Sequence, residues 1–221
     1  RARAICAWRR RVPVLRFDDG RMSRMPWPAR ISPARPGVKL TYDDFLLFPD
    51  DGLRHELIDG EHFVTPSPNM NHQRVSGRLH LAIGNYLRAN PVGELFYAPF
   101  DVIFTRFVMV EPDLLYLSNE RAAEALTSKN VRGVPNLAVE ILSKGTRRRD
   151  ETLKRRLYER SGVDEYWVVN PDAARIHVHR SVGGTFAAPV ELSRDADDSL
   201  TTALLPVFSV GLSEIFASRH P

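Results

Sequence analysis

The chain predicts an α/β domain in which a mixed, curved β-sheet is flanked by helices. Three stretches carry that expectation: a hairpin around Asp59-Gly60, a long amphipathic helix from about Met70 to Ala89, and a strand–helix–strand unit between Leu137 and Asn170. Taken in chain order, Thr41 with Asp44 three positions on has the form of a capping box and opens a short helix running through Phe48. His55–Ile58 and Glu61–Thr65 flank Asp59-Gly60, a dipeptide that tolerates the positive φ angles of a two-residue turn, so the two segments pair antiparallel. Val75, Leu79, Ala82, Ile83, Tyr86 and Leu87 then recur at helical spacing and form one apolar stripe.

Extended segments follow at Glu94–Tyr97, Asp101–Phe104, Val108–Val110 and Asp113–Leu117. Their Val, Phe, Tyr and Leu suit half-buried strands of one partly antiparallel sheet. The stretch around Ser118–Gly133 is polar and predicts no element. Leu137–Leu142 reads as a buried strand, Asp150–Ser161 as a helix and Glu165–Asn170 as a second strand, which is a βαβ unit. Ile176–Arg180, Phe186–Val190 and Leu200–Ala203 are expected to be later strands, separated by Gly183-Gly184 and by Asp195–Asp198.

A length of 221 residues, 43% hydrophobic and 26% charged, excludes a wholly disordered chain and a disulfide scaffold and suits one domain with a full core. Cys6 is the single cysteine, so no internal disulfide forms; with no membrane-length apolar run, a cytoplasmic location is expected. The net charge of +4 is unevenly spread, with eleven Lys and Arg against two Asp and Glu in residues 1–39, and twenty against twenty-five beyond. Residues 1–39 therefore read as a basic, disordered N-terminal extension and 40–217 as the folded domain. A basic arm contacting nucleic-acid phosphates is the alternative for the extension.

Two acids stand where acids are costly. Asp113 precedes Leu114-Leu115-Tyr116-Leu117, and Glu140 interrupts the apolar run from Leu137 to Leu142. A buried carboxylate needs a compensating partner, and a hard divalent cation such as Mg²⁺, with Mn²⁺ as substitute, provides one. Pairing with arginines is the purely structural alternative. Lys154 adds weight to the metal reading: at about 100° per residue it lies about 40° from Asp150, on the face of Leu153, Leu157 and Tyr158. Arg155 and Arg156 point away by the same arithmetic. An inward lysine beside two carboxylates suits metal-assisted phosphodiester hydrolysis, where an ammonium orients water and stabilises developing phosphoryl charge.

These residues also carry a resemblance. Glu56-Leu57-Ile58-Asp59-Gly60-Glu61, His72, Pro112-Asp113, Glu140-Ile141-Leu142-Ser143, Thr146-Arg147-Arg148-Arg149-Asp150 with Lys154 and Tyr158, and Gly162-Val163-Asp164-Glu165-Tyr166-Trp167 closely resemble the Uma-two family of restriction endonucleases, from about Leu40 to Phe216. The resemblance implies a PD-(D/E)XK, restriction-endonuclease-like core that hydrolyses nucleic-acid phosphodiesters with Mg²⁺. It implies Asp113 as metal-bridging aspartate, Glu140 as second carboxylate, the Ile141 carbonyl as a further ligand and Glu56 as an acid reaching the site from the N-terminal side. The broader superfamily carries its lysine two residues after the glutamate, where this chain has Leu142. The family pattern places it instead on the following helix, in agreement with Lys154, and leaves Lys144 as substitute.

Lesser candidates are Asp101 as an added carboxylate, His72 as a site-lining residue, and Arg147, Arg148 and Arg149 as phosphate contacts next to the helix start. His177 and His179 share one strand face but lack a third zinc ligand nearby, and Tyr166 and Trp167 are expected in the core. The function expected is a Mg²⁺-dependent endonuclease acting on double-stranded DNA, with a homodimer suiting double-strand cleavage. The competing readings are a nucleic-acid-binding protein that keeps the fold without turnover, and a metal-independent hydrolase working through paired carboxylates.

Overall fold

A computed structural model describes residues 38–49 and 51–217; the basic extension 1–39 lies almost wholly outside the described residues. The capping box forms as expected: Thr41 and Asp44 exchange hydrogen bonds and start α1 (Tyr42–Phe45). β1 (Arg54–Ile58) and β2 (Glu61–Thr65) make the hairpin. Asp59 and Gly60 between them adopt φ of 57° and 81°, the left-handed pair that a tight, strand-matched turn demands. Alternation along β1 then sends Arg54, Glu56 and Ile58 to one face.

The long helix is α2 (Met70–Ala89), capped by Asn69, whose side chain accepts a hydrogen bond from the His72 N–H. That cap fixes His72 in the first turn, facing inward. The extended segments of the middle region are β3 (Gly93–Tyr97), β4 (Val102–Thr105), β5 (Val108–Val110) and β6 (Leu114–Ser118). They do not build one sheet. β3 and β6 pair with each other in a larger sheet, whereas β4 and β5 join the hairpin in a smaller one. The chain leaves one sheet and returns to it through segments containing Pro99 and Pro112, residues with no backbone N–H to continue a ladder.

The stretch expected to be featureless holds α3 (Asn119–Ala125), capped by Ser118, and β7 (Val131–Arg132). β8 (Leu137–Ile141) and β9 (Glu165–Asn170) pair in parallel and are joined through a helix, as the βαβ reading requires. That helix begins as a π-helical stretch, Arg149–Lys154, and continues as α4 (Arg155–Ser161). Beyond it lie β10 (Arg175–Val182), β11 (Thr185–Phe186), β12 (Val190–Ser193), β13 (Ser199–Thr201), β14 (Ser209–Gly211) and α5 (Leu212–Ile215). The expected strand Phe186–Val190 is divided into β11 and β12, with Pro189 immediately before the second.

The smaller sheet runs β2-β1-β5-β4-β7 and the larger β11-β10-β9-β8-β6-β3, with β12 also on β10. Both mix parallel and antiparallel pairs. Val75, Leu79 and Ile83 of α2 pack on one face of the larger sheet with Leu114, Leu137, Val139, Ile141 and Trp167. The other face carries Leu115, Ala138, Leu142, Tyr166 and Val168 against Leu157 and Tyr158 of α4, together with Ile58 and Val110 of the smaller sheet. Glu140 stands among this second set by strand alternation, which aims it at α4 and β1. Among the described residues no helix is long and apolar enough to cross a membrane.

Candidate active site

Five parts of the fold bring the polar residues of the site to a shared seam. β1 contributes Arg54 and Glu56, the first turn of α2 His72, the residue before β6 Asp113, β8 Glu140, and the π-helical stretch Arg149, Asp150 and Lys154. They surround a cleft lined by Arg54, Thr65, His72, Asp113, Glu140, Ile141, Thr146, Arg149, Asp150 and Lys154, among others.

Lys154 is the hub. Its side chain is buried, and its ammonium lies 2.7 Å from Glu56 Oε1 and 2.8 Å from Glu140 Oε1. Asp150 Oδ1 is 4.0 Å away and accepts no hydrogen bond. The Tyr158 hydroxyl also donates to Glu140 Oε1, at 2.7 Å. Both bonds to Glu140 thus fall on one oxygen. Glu56 is held further by the Glu111 N–H at 3.1 Å and by Arg149 at 3.4 Å.

Asp113 is gripped from three sides. Its Oδ2 accepts from the Ile141 N–H at 2.8 Å and from His72 Nε2 at 3.0 Å, and its Oδ1 faces Arg54 Nη1 at 2.9 Å. Arg54 also reaches Glu111, through Nε to the carboxylate at 3.2 Å and through Nη2 to the main-chain carbonyl.

The electrostatics follow from burial set against these partners. Burial resists ionisation of Asp113, but the His72 bond, Arg54 and the Ile141 N–H outweigh it and hold the carboxyl at about 2. Glu56 is likewise burdened by burial and yet lowered, because Lys154 and Arg149 flank it. Glu140 goes the other way: burial, with Asp150, Asp113 and Glu56 nearby, lifts it to about 8 despite Lys154. Burial raises Asp150 as well and lifts Glu111 to about 7. Lys154 is kept above the ordinary lysine value: burial disfavours its charge, but Glu140, Glu56 and Asp150 more than offset that. Five buried carboxyl groups therefore face three permanent cations, and the repulsion among the acids falls most heavily on Glu140, which holds its proton to about 8 when no other cation is present.

Among the described residues no group of three or more His, Cys, Asp or Glu side chains is placed to hold a metal ion. Two carboxylates and a main-chain carbonyl remain, which suits Mg²⁺, an ion commonly held by one or two carboxylates together with water and substrate oxygens. The cleft has about 20 Å³ of free volume, room for one water-sized or ion-sized occupant. More carboxyl groups than cations, an oxygen of Glu140 without a hydrogen bond and a single small space make the residues present a fit for a divalent ion.

The Uma2 family, described as "Putative restriction endonuclease", matches residues 42–213. The chain belongs to this family. A solved structure of a putative nuclease of DUF820 from Anabaena variabilis superposes with a TM-score of 0.68 at 17% identity, covering 80% of this chain and 97% of that one. The chain therefore shares that nuclease's mixed α/β fold. Among curated proteins, none matches.

Within this Uma2 chain, Glu56, His72, Asp113, Glu140, the Ile141 main chain and Lys154 stand together, whereas other candidates do not. Lys144 is exposed in the loop after β8 and does not line the cleft. Asp101 bonds the Tyr42 hydroxyl at 3.0 Å, away from the cleft. Arg147 pairs with Asn170 and Glu151, and Arg148 is exposed. Of the arginine run only Arg149 lines the cleft, because a π turn bonds residues five apart and so aligns Arg149 with Lys154. At α-helical spacing they would lie about 140° apart. Arg54 and Asp150 were not anticipated as site residues. Arg54 had a signal, since it stands two residues before Glu56 on a strand and must share its face.

The raised Glu140 carboxyl makes metal-free stability depend on pH, with a definite sign. Its folded value, about 8, exceeds its ordinary 4.5, so its contribution is fully present below 4.5 and is lost as pH rises through about 8. Asp113 acts in the opposite sense and in a separate window, losing its contribution as pH falls from 3.8 through about 2. Thermal melts in chelator should thus show a falling melting temperature from pH 5 to pH 8, and Glu140→Gln should flatten that slope. An unchanged slope in the variant would remove Glu140 as its source.

Proposed function

We propose that this chain is a Mg²⁺-dependent endonuclease that hydrolyses phosphodiester bonds of double-stranded DNA. The observation that carries the reading is the convergence of Asp113, Glu140 and Lys154 on one ion-sized cleft in which carboxyl groups outnumber cations. Membership of the Uma2 family and the nuclease fold support it.

Asp113, Glu140 and the Ile141 carbonyl would hold the ion, which when bound supplies Lewis-acid charge at the scissile phosphate and a more acidic water. The chain's own residues prepare that site. The Ile141 N–H and His72 keep Asp113 ionised and oriented. Lys154 and Tyr158 pin Oε1 of Glu140, which leaves Oε2 for the cleft. Glu56 anchors Lys154 from the far side, so in this geometry both act as positioning residues behind the carboxylates. Of the three arginines expected as phosphate contacts, Arg149, bonded to Thr65 at the cleft wall, takes that role. We also propose a cytoplasmic site of action and a twofold dimer, which would present two sites to antiparallel strands.

The test is plasmid nicking by purified protein over a Mg²⁺ titration, with Mn²⁺ and excess chelator as further arms. Nicking that rises with Mg²⁺ and vanishes in chelator is expected. Undiminished nicking in chelator would favour metal-independent acid–base hydrolysis through the paired carboxylates. DNA binding without cleavage under every divalent ion would favour a nucleic-acid-binding protein without turnover.

A further inference from the structure

Asp113 has two kinds of partner. The ones on Oδ2 are fixed by the fold: a main-chain N–H of β8, and a histidine held in the first turn of a capped helix. The one on Oδ1 is the end of a long side chain, Arg54, that lines the same cleft. A guanidinium there neutralises the carboxylate from the side still open to a ligand. It occupies an oxygen that a divalent ion would use, and two cations on one carboxylate oxygen repel.

We propose that Arg54 is the resident counter-cation of Asp113, and that a divalent ion binds by displacing its Nη1 arm. This inference rests on the metal-dependent reading above. Two further observations support it. Arg54 holds Glu111 through Nε and Nη2 independently of Asp113, so releasing Nη1 leaves the side chain anchored. Its side chain is 18% exposed against 6% for Asp113, so the guanidinium has water to move towards and the carboxylate does not. The displaced contact is a charge-assisted hydrogen bond, which the entering ion has to outcompete. In its absence the cleft keeps its carboxylates and loses its competitor.

The experiment is calorimetric titration of Mn²⁺ into the full chain as wild type, Arg54→Gln and Asp113→Asn, with thermal melts of each in chelator and in Mn²⁺. Removing one charge-assisted contact should tighten Mn²⁺ binding by Arg54→Gln roughly tenfold or more over wild type. Its melting temperature should be lower in chelator and rise more with Mn²⁺. Asp113→Asn should not bind. If wild type binds and Arg54→Gln binds equally or more weakly, the displacement idea is overturned while the metal site stands. If neither binds, the metal reading falls and this inference with it. Should Arg54→Gln not fold, Arg54→Lys is read instead. An ammonium has no fork with which to span Asp113 and Glu111 together, so several-fold tighter binding than wild type supports displacement, and equal or weaker binding overturns it.

Discussion

Asp113→Asn should lower Mg²⁺-dependent nicking at least about 10³-fold, equivalent to ~4 kcal/mol of transition-state stabilisation at about 1.4 kcal/mol per tenfold. The variant isolates charge from structure. Asparagine keeps the size of the side chain and can still accept from the Ile141 N–H and His72, the two bonds that tie the start of β6 to β8 and α2. Its amide nitrogen would then face Arg54, which retains Glu111 as partner. The fold should therefore survive with a modest loss of stability, visible as an unchanged circular dichroism spectrum and a small drop in melting temperature. Metal-assisted chemistry should not survive, because the carboxylate held at about 2 is, among the acids lining the cleft, the one held below its ordinary value. Nicking within tenfold of wild type by a folded Asp113→Asn protein would remove Asp113 from the chemistry and return it to the role of a buried tie between three elements.

Much of the fold and the centre of the site could be read from residue order because each depended on local periodicity. The stripe on α2 and the βαβ unit are of this kind, and so is the inward direction of Lys154, whose neighbours Leu157 and Tyr158 are buried with it. Features that depended on distant choices were not readable. Nothing local to β4 and β5 tells them to join the hairpin sheet rather than β3 and β6. α3 escaped because its buried residues are only Ala122 and Ala125, too small to make an apolar stripe, although Ser118 gave a cap signal. Which arginine of the run from Arg147 to Arg149 faces the cleft was not readable for a geometric reason: the chain forms a π turn there and not an α-helix, and π turns occur disproportionately at functional sites. The third cation, Arg54, was hidden because the first hairpin strand was expected to begin at His55; the strand begins one residue earlier, and its alternation aims Arg54 and Glu56 at one target.

Lys154→Met should destabilise the metal-free protein by about 3–5 kcal/mol, the range for removing one partner of a buried ion pair. For a domain of this size that is a fall in melting temperature of roughly 6–20 °C. Methionine fills nearly the same space along the stem, so the loss is electrostatic. Glu56 keeps Arg149 and the Glu111 N–H, whereas Glu140 keeps only the Tyr158 hydroxyl among its bonds. Most of the penalty should therefore sit on Glu140, and adding Glu140→Gln to Lys154→Met should recover a large share of it. That double-mutant comparison separates the two ends of the lysine. A recovery smaller than about 0.5 kcal/mol would mean that Glu56, not Glu140, is what Lys154 compensates. A positioning role makes a second demand, read on protein kept folded at low temperature. Lys154→Met should not weaken Mn²⁺ binding, since it removes a cation from the site and frees Oε1, but should lower kcat for nicking because Glu140 is no longer pinned. A purely structural lysine would leave kcat unchanged below the melting transition, and that result would confine Lys154 to the core.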